Sequence, residues 1–197
     1  MKLIYIDTET TGTDTEHCAI TQLAGCIVAD GKSEDFNFFM KPFEGALITD
    51  EALKIQNKTC EEIMSYSSDK KTFVDFTSLL GKYIDRYEKS DKFFFIGYNS
   101  RFDSDMIRNW FKRNGDNYYG SWFWMPDIDV MALAARALIN IRNTLPNFRL
   151  ETVSKYLFPN DADVQNPQFH DARYDILMTR KIMQIIGVGI IKKDGEK

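Results

Sequence analysis

The pattern of hydrophobic and polar positions predicts strands in the first part of the chain. Residues 2–7, KLIYID, carry apolar side chains on both faces, as in a central strand that is covered on both sides. Two further apolar segments, 18–30 and 33–41, predict strands joined by a turn at Asp30-Gly31. The aromatic run KFFFIGY at 92–98 predicts a fourth, buried strand.

Apolar residues at helical spacing follow these strands. Ser67 and Ser68 are suitable caps for a helix that extends to about residue 87. Further helices are predicted at 103–113, 129–140, 149–157 and 171–186. Strands first, then alternation with helices, predict an α/β fold with a mixed central β-sheet flanked by α-helices.

The aromatic segment YYGSWFW, residues 118–124, permits two interpretations. Its rings could stack on nucleic-acid bases. The alternating pattern before a helix favours a buried strand or hairpin instead.

Composition indicates one soluble globular domain. A chain of 197 residues, 44% hydrophobic and 27% charged, is long enough to bury a core. No apolar run approaches the roughly 20 residues that cross a bilayer, and the first residues lack the apolar segment of a signal peptide. The three cysteines have no metal-binding spacing. We expect a cytoplasmic protein without membrane contact, with a domain at 1–187 and a short tail at 188–197.

The net charge of −4 does not by itself indicate a polyanion partner, but it is unevenly distributed. Residues 1–90 hold 10 Lys+Arg against 16 Asp+Glu, a balance of −6, whereas residues 91–197 hold 15 against 13, a balance of +2. Acidic residues that surround divalent cations can still form a positive site.

Carboxylates at three separate places lie on faces that should point inward. Asp7 and Glu9 share one face at the end of the first strand because side chains alternate with a period of two. Asp103 and Asp175 each stand at the head of an apolar helical stripe. Taken singly, these acids could be turn residues or helix caps.

Taken together, the inward carboxylates would repel one another unless some stayed protonated or a cation lay between them. Oxygen ligands without cysteine favour Mg²⁺ or Mn²⁺ over structural zinc. His170 lies five residues before Asp175, about 140° away around a helix, so it belongs to the preceding loop. The set suggests a two-metal hydrolytic site with a histidine general base.

Three motifs carry a family resemblance: Asp7-Thr8-Glu9-Thr10-Thr11-Gly12, Asn99-Ser100-Arg101-Phe102-Asp103 and His170-Asp171-Ala172-Arg173-Tyr174-Asp175. In order and spacing they resemble the motifs of the DEDDh 3′-5′ exonucleases, which include the proofreading exonucleases of bacterial replicative DNA polymerases. The resemblance covers roughly residues 1–186.

The resemblance implies a ribonuclease H-like fold that releases nucleoside 5′-monophosphates from a 3′ end. Asp7, Glu9 and Asp175 would hold one of two Mg²⁺ or Mn²⁺ ions, and Asp7 would bridge to the second, which Asp103 serves through water. His170 would deprotonate the attacking water. The implied contacts to the terminal nucleotide come from the following residues: Thr8, Thr10, Thr11, Gly12, Asn99 and Phe102.

The sequence departs from the family pattern at two places. Tyr98 stands where many relatives have a histidine. Gln56 and Asn57 stand where relatives have the His and Gly of a His-Gly-Ile-Thr-like stretch that touches the terminal base.

We expect a metal-dependent 3′-5′ exonuclease acting on the 3′ ends of single-stranded or frayed DNA, alone or with a DNA polymerase or repair complex. An exoribonuclease on the same scaffold is the nearest alternative. A catalytically silent module that binds nucleic acid or a polymerase is another, although all five catalytic positions are occupied. A small-molecule phosphodiesterase is a more distant possibility.

Overall fold

The structure of the chain is a computed structural model that describes residues 1–187. The expected tail at 188–197 lies outside the described residues. None of the helices within the described part is long and apolar enough to cross a membrane.

A five-stranded mixed sheet forms the centre of the fold, in the order β3-β2-β1-β4-β5. The strands are β1 (Leu3–Thr10), β2 (Ile20–Ala29), β3 (Lys32–Phe39), β4 (Phe94–Gly97) and β5 (Ile128–Asp129). β2 pairs antiparallel with both β1 and β3, whereas β4 pairs parallel with β1 and β5. The expected mixed α/β sheet is confirmed.

The hairpin between β2 and β3 turns at the predicted residues. Asp30 and Gly31 have φ angles of 52° and 74°. Two consecutive positive φ angles give a turn whose twist matches that of the flanking strands. The turn fixes the register that pairs Ala29 with Lys32.

Eight α-helices flank the sheet within the described residues. They are α1 (Asp50–Gln56), α2 (Cys60–Met64), α3 (Asp69–Gly81), α4 (Ser100–Arg113), α5 (Val130–Ala137), α6 (Leu150–Leu157), α7 (Ala162–Gln165) and α8 (Ala172–Gly187). The side chain of Ser68 caps α3 as predicted, but the helix ends at Gly81, before residue 87. Ile84 is buried from the irregular segment that follows, so apolar spacing continues beyond the helix. α4 begins at Ser100, earlier than predicted.

The aromatic segment at 118–124 is neither a strand nor a hairpin. It forms a 3-10 turn at Tyr119–Ser121 and one parallel bridge between Phe93 and Phe123. Tyr119, Trp122 and Phe123 are buried in the core, and Tyr119 and Phe123 contact each other with ring centroids 4.7 Å apart. Their burial explains the alternating pattern and removes these three rings from any surface where bases could stack.

The core has two layers, one on each face of the sheet. Ile4 and Ile6 of β1 face a cluster that includes Phe76 of α3 and Trp110 of α4. Tyr5 faces a second cluster that draws residues from α5, α6 and α8. The middle of β1 is therefore buried on both faces, whereas Asp7 and Glu9 at its carboxyl end are partly exposed and accessible to a ligand.

Candidate active site

Three carboxylates meet at the carboxyl end of β1. Asp7 and Glu9 come from the strand and Asp175 from the first turn of α8. Carboxylate oxygens of the three lie within 4.8 Å of one another. The period of two along β1 and the packing of α8 on the same face of the sheet produce this cluster.

The loop before α8 sets the direction of the Asp175 side chain. The Asp171 carboxylate accepts a hydrogen bond from the Arg173 amide at 2.9 Å, and the Asp171 carbonyl accepts one from the Asp175 amide at 3.0 Å. Ala172 is fully buried, which lets the helix start approach the sheet closely. The Oδ2 atom of Asp175 accepts the His170 amide at 3.3 Å, whereas its Oδ1 atom is buried without a hydrogen-bond partner among the described residues.

Asp103 lies beside this cluster rather than within it. It is 3% exposed in the first turn of α4. Its Oδ1 atom accepts hydrogen bonds from the Thr8 amide at 2.9 Å and from the Thr8 hydroxyl at 2.7 Å. Thr8 thus points to the opposite face from Asp7 and Glu9 and joins α4 to β1 at the site.

His170 occupies the turn before α8, as predicted from its spacing to Asp175. It has a φ of 71° and an exposed side chain. A left-handed conformation at a residue other than glycine is uncommon, and such outliers cluster at functional sites. The backbone holds this conformation through the bond from the His170 amide to Asp175.

His170 and Asp175 line a common cavity of about 350 Å³, which we call the His170 cleft. Its other lining residues are Tyr98, Asn99, Met131, Arg149, Leu150, Glu151 and Phe169. Asn99 is exposed, has a φ of 62° and makes no capping bond with its side chain. The side-chain amide of Asn99 is therefore available to a ligand in the cleft.

The threonines that follow Glu9 already use their hydroxyls within the protein. The Thr10 hydroxyl donates to the Gly12 carbonyl at 2.7 Å, and the Thr11 hydroxyl donates to the Leu47 carbonyl at 2.6 Å. A Cβ atom at Gly12 would lie 2.7 Å from the Cys18 sulfur, so packing alone requires glycine there. Phe102 is partly exposed and packs against the core. Contacts of these residues to a nucleotide stay predictions.

Gln56, which departs from the family pattern, belongs to a set of hydrogen bonds that join α1 to the residues around the end of β1. The Gln56 side-chain amide donates to the Thr10 carbonyl at 2.7 Å, and the Thr49 hydroxyl donates to the Thr11 carbonyl at 3.0 Å. Asn57 has a φ of 53°, the conformation that glycine adopts most easily. α1 has no buried residue, so these polar contacts at its two ends hold it beside the site.

Asp129 is a residue of the site region that was not predicted from the sequence. Its carboxylate accepts hydrogen bonds from the backbone amides of Asn99, at 3.0 Å, and Met131, at 2.9 Å. These two bonds join the start of α4 to the start of α5. The second contact is a helix cap, which an aspartate directly before an apolar helix could have indicated. The contact to Asn99 depends on the pairing of β4 with β5 and has no local signal.

The electrostatics of the site are those of crowded acids, of which Asp103 is buried and Asp7, Glu9 and Asp175 are half-buried. Burial first, and then the neighbouring carboxylates, raise the pKa of Asp7 well above its usual range and the pKa of Glu9 to about 9. Burial also raises the pKa of Asp103 to about 7, although the hydrogen bonds from Thr8 act in the opposite direction. The pKa of Asp175 rises to about 7, again chiefly through burial.

A divalent cation suits this donor set. The cluster offers only carboxylate oxygens, the preferred ligands of hard cations such as Mg²⁺ and Mn²⁺. The buried Oδ1 atom of Asp175 lacks a donor among the described residues, and a cation would supply its missing partner. The residues present therefore fit a metal site formed by Asp7, Glu9 and Asp175.

Comparisons with known proteins bear on this arrangement. Residues 4–183 match the family described as Exonuclease, the RNase T family. A zinc-bound complex of E. coli exonuclease I with single-stranded DNA has a TM-score of 0.73 and 23% identity over 95% of this chain and 40% of that chain. A complex of the same enzyme with a dA16 oligonucleotide has a TM-score of 0.74 and 23% identity over 95% of this chain and 41% of that chain.

A product-bound structure of exonuclease I has a TM-score of 0.70 and 23% identity over 95% of this chain and 43% of that chain. This chain thus spans well under half the length of these solved structures. No curated protein sequence matches it. The likeness confirms the expected ribonuclease H-like fold.

Repulsion within the site predicts how stability responds to pH and metal. Because the folded-state pKa values lie at about 7 to 9 and the unfolded values at about 4, the folded state binds more protons in this interval. Stability of the metal-free protein should therefore fall as pH rises from about 4 to about 9. At pH 8, Mg²⁺ or Mn²⁺ at about 100 times its Kd should raise Tm by about 5–10 °C. Thermal unfolding with chelator or metal measures both effects.

A variant separates the site from general ion effects in this test. Asp7→Asn should raise Tm of the metal-free protein at pH 8 and abolish the metal-induced shift, because it removes one ligand and a carboxyl group whose ionisation the site disfavours. Glu44→Gln, at an exposed position, is the control with the same exchange of a carboxyl group for an amide and should retain the shift. A metal shift that persists in Asp7→Asn would contradict the assigned site.

The Thr8 hydroxyl should stabilise the protein most when Asp103 is ionised. Thr8→Val should lower the free energy of unfolding by about 1–3 kcal/mol at pH 8, because the bond is made to a charged group, and by less at pH 6. Denaturant unfolding of metal-free protein at the two pH values measures the difference. Thr21→Val is the control, since its hydroxyl donates to the neutral Glu9 carbonyl at 3.2 Å. Equal losses at both pH values for Thr8→Val would refute the assigned role.

Proposed function

Because the chain belongs to the RNase T family of exonucleases, we propose that it is a metal-dependent 3′-5′ exonuclease that releases nucleoside 5′-monophosphates from DNA. The observation that carries the proposal is the cluster of Asp7, Glu9 and Asp175, in which Asp175 also lines the cleft that contains His170. Carboxylates that can hold cations beside a histidine are the groups required for hydrolysis of a phosphodiester.

Single-stranded or frayed DNA is the proposed substrate. The solved structures with the same fold include complexes of E. coli exonuclease I with dT13 and dA16 oligonucleotides. The His170 cleft is open to solvent at exposed residues such as Asn99 and Arg149, which suits a strand end more than an enclosed small molecule. Association with a DNA polymerase or repair complex, and a cytoplasmic location, stay predictions from the sequence.

Each acidic residue has a distinct part in the proposed mechanism. Asp7, Glu9 and Asp175 would hold one cation, and Asp7, with Asp103 acting through water, would serve a second. Divalent cations supply positive charge beside the scissile phosphate and make water a better nucleophile. Asp103 is fixed by Thr8, so its carboxylate can position water without moving.

His170 would act as the general base. Its exposed ring in the turn before α8 lines the same cleft as Asp175, within reach of a substrate that binds there. The ring accepts a proton from the attacking water as the water oxygen bonds to phosphorus. The bond from phosphorus to the 3′ oxygen of the preceding nucleotide breaks, and that oxygen gains a proton. The products are a nucleoside 5′-monophosphate and a strand one nucleotide shorter.

Matched DNA and RNA oligonucleotides labelled at the 5′ end test the reaction. With Mg²⁺ or Mn²⁺ we expect a ladder that shortens from the 3′ end, faster for DNA than for RNA, and no ladder with chelator. Asp7→Ala and Asp175→Ala should abolish it by removing metal ligands. Faster degradation of RNA would replace the DNA proposal with an exoribonuclease. Binding without degradation of either would favour a silent binding module.

The general-base role of His170 predicts a selective loss of rate. His170→Ala should reduce kcat by about 10² or more while substrate binding changes little. The decline in rate at low pH that a general base imposes should also disappear. His17→Ala is the control because His17 is the only other histidine, is exposed and pairs with Asp14. A His170→Ala enzyme with the wild-type rate and pH profile would exclude the role.

A further inference from the structure

Arg149 is the one lysine or arginine among the described residues that line the His170 cleft. The same cleft contains Asp175, which belongs to the acidic cluster with Asp7 and Glu9, so a nucleic-acid strand in the cleft would approach negative charge. A strand with a phosphate at every nucleotide needs positive groups along its path in addition to the cations at the scissile bond. Arg149 stands where such a group is required.

The backbone that presents Arg149 is held from both sides. The Tyr98 hydroxyl donates to the Phe148 carbonyl at 2.8 Å, directly before Arg149. The Asn147 side-chain oxygen accepts the Arg149 amide at 2.9 Å and the Thr152 hydroxyl at 2.7 Å. The backbone of Arg149 is therefore held in place before any ligand binds, which reduces the entropic cost of binding.

The side chain of Arg149, by contrast, is uncommitted. It is exposed and forms no ion pair or side-chain hydrogen bond with residues 1–187. The nearest acid along α6, Glu151, is paired with Lys155. Arg180, by contrast, pairs with Asp35 at 3.5 Å. An unpaired guanidinium on a fixed backbone in the cleft has the form of a ligand contact.

We propose that Arg149 binds the phosphodiester backbone of the substrate strand in the His170 cleft and that Tyr98 is its positioning residue. This inference rests on the proposed exonuclease function. The planar guanidinium can donate two parallel hydrogen bonds to one phosphate, which gives it orientation as well as charge. The chain has a net charge of −4, so a localised cation is needed where the strand enters.

Tyr98, which also departs from the family pattern, thereby has a role in positioning Arg149. Tyr98 replaces the histidine of many relatives, and its phenol reaches the Phe148 carbonyl across the cleft wall. Burial raises the pKa of Tyr98, so the hydroxyl keeps its proton and remains a donor over the working pH range. Loss of the hydroxyl should release the segment that carries Arg149 without altering any charge.

Binding of a fluorescent single-stranded oligonucleotide tests the proposal independently of turnover. The measurement uses the His170→Ala protein with Mg²⁺, in which the strand is cut slowly, over a series of salt concentrations. Adding Arg149→Gln should raise Kd about tenfold, the loss expected for one charge-assisted contact. The slope of log Kd against log salt should become shallower by about 0.7, the value for one phosphate contact on a single strand. Arg149→Lys should restore the salt slope.

Arg136→Gln is the matched control, because Arg136 is an exposed arginine on α5 outside the cleft and the change in net charge is the same. Tyr98→Phe should weaken binding less than Arg149→Gln, and the two should not be additive, since they act through one contact. A Kd and salt slope unchanged by Arg149→Gln, or changed equally by Arg136→Gln, would overturn the inference. If the parent with His170 intact also degrades no strand, the proposed function itself has failed.

Discussion

Repulsion between carboxylates at the end of β1 is the constraint on which the rest of the site depends. The central strand is packed on both faces, and the side chains of Asp7 and Glu9 at its carboxyl end are half-buried. Placing Asp7 and Glu9 there, and adding Asp175 from α8, gathers groups that disfavour one another's ionised forms. A fold gains no stability from such an arrangement, and a cation that restores the missing positive charge is its physical explanation.

The structure keeps these carboxylates together by hydrogen bonds to the surrounding backbone. Thr8 fixes Asp103 through its amide and hydroxyl, and Asp171 fixes the first turn of α8. Asn99 and His170, in contrast, both adopt left-handed backbone conformations at the cleft. Both side chains are exposed, and such uncommon conformations cluster at functional sites.

The sequence allowed four of the five strands and the residues of the acidic cluster to be predicted, because both depend on local periodicity, whereas the short strand β5 was not foreseen. Alternation along residues 2–7 identified the central strand, and helical spacing placed Asp175 on the inner face of its helix. The same reasoning failed where burial continued through irregular backbone. Ile84 extended the third helix in the prediction, and the buried rings at 118–124 imitated a strand. The contacts of Gln56, Tyr98 and Asp129 were not foreseen because each joins segments far apart in the chain.

In an acidic site that acts on a polyanion, the repulsion between carboxylates and phosphates must be offset at two places. At the scissile phosphate, cations between the carboxylates can reverse the local charge. Farther along the nucleic-acid strand, the described residues form no second cluster of this kind, so a basic side chain must supply the positive charge. Arg149 is suited to this because Tyr98 and Asn147 fix its backbone while its side chain remains unpaired within the described residues. Both departures from the family pattern then serve to position other groups. Gln56 holds α1 beside the carboxylates, and Tyr98 holds the backbone of Arg149, which binds the nucleic-acid strand.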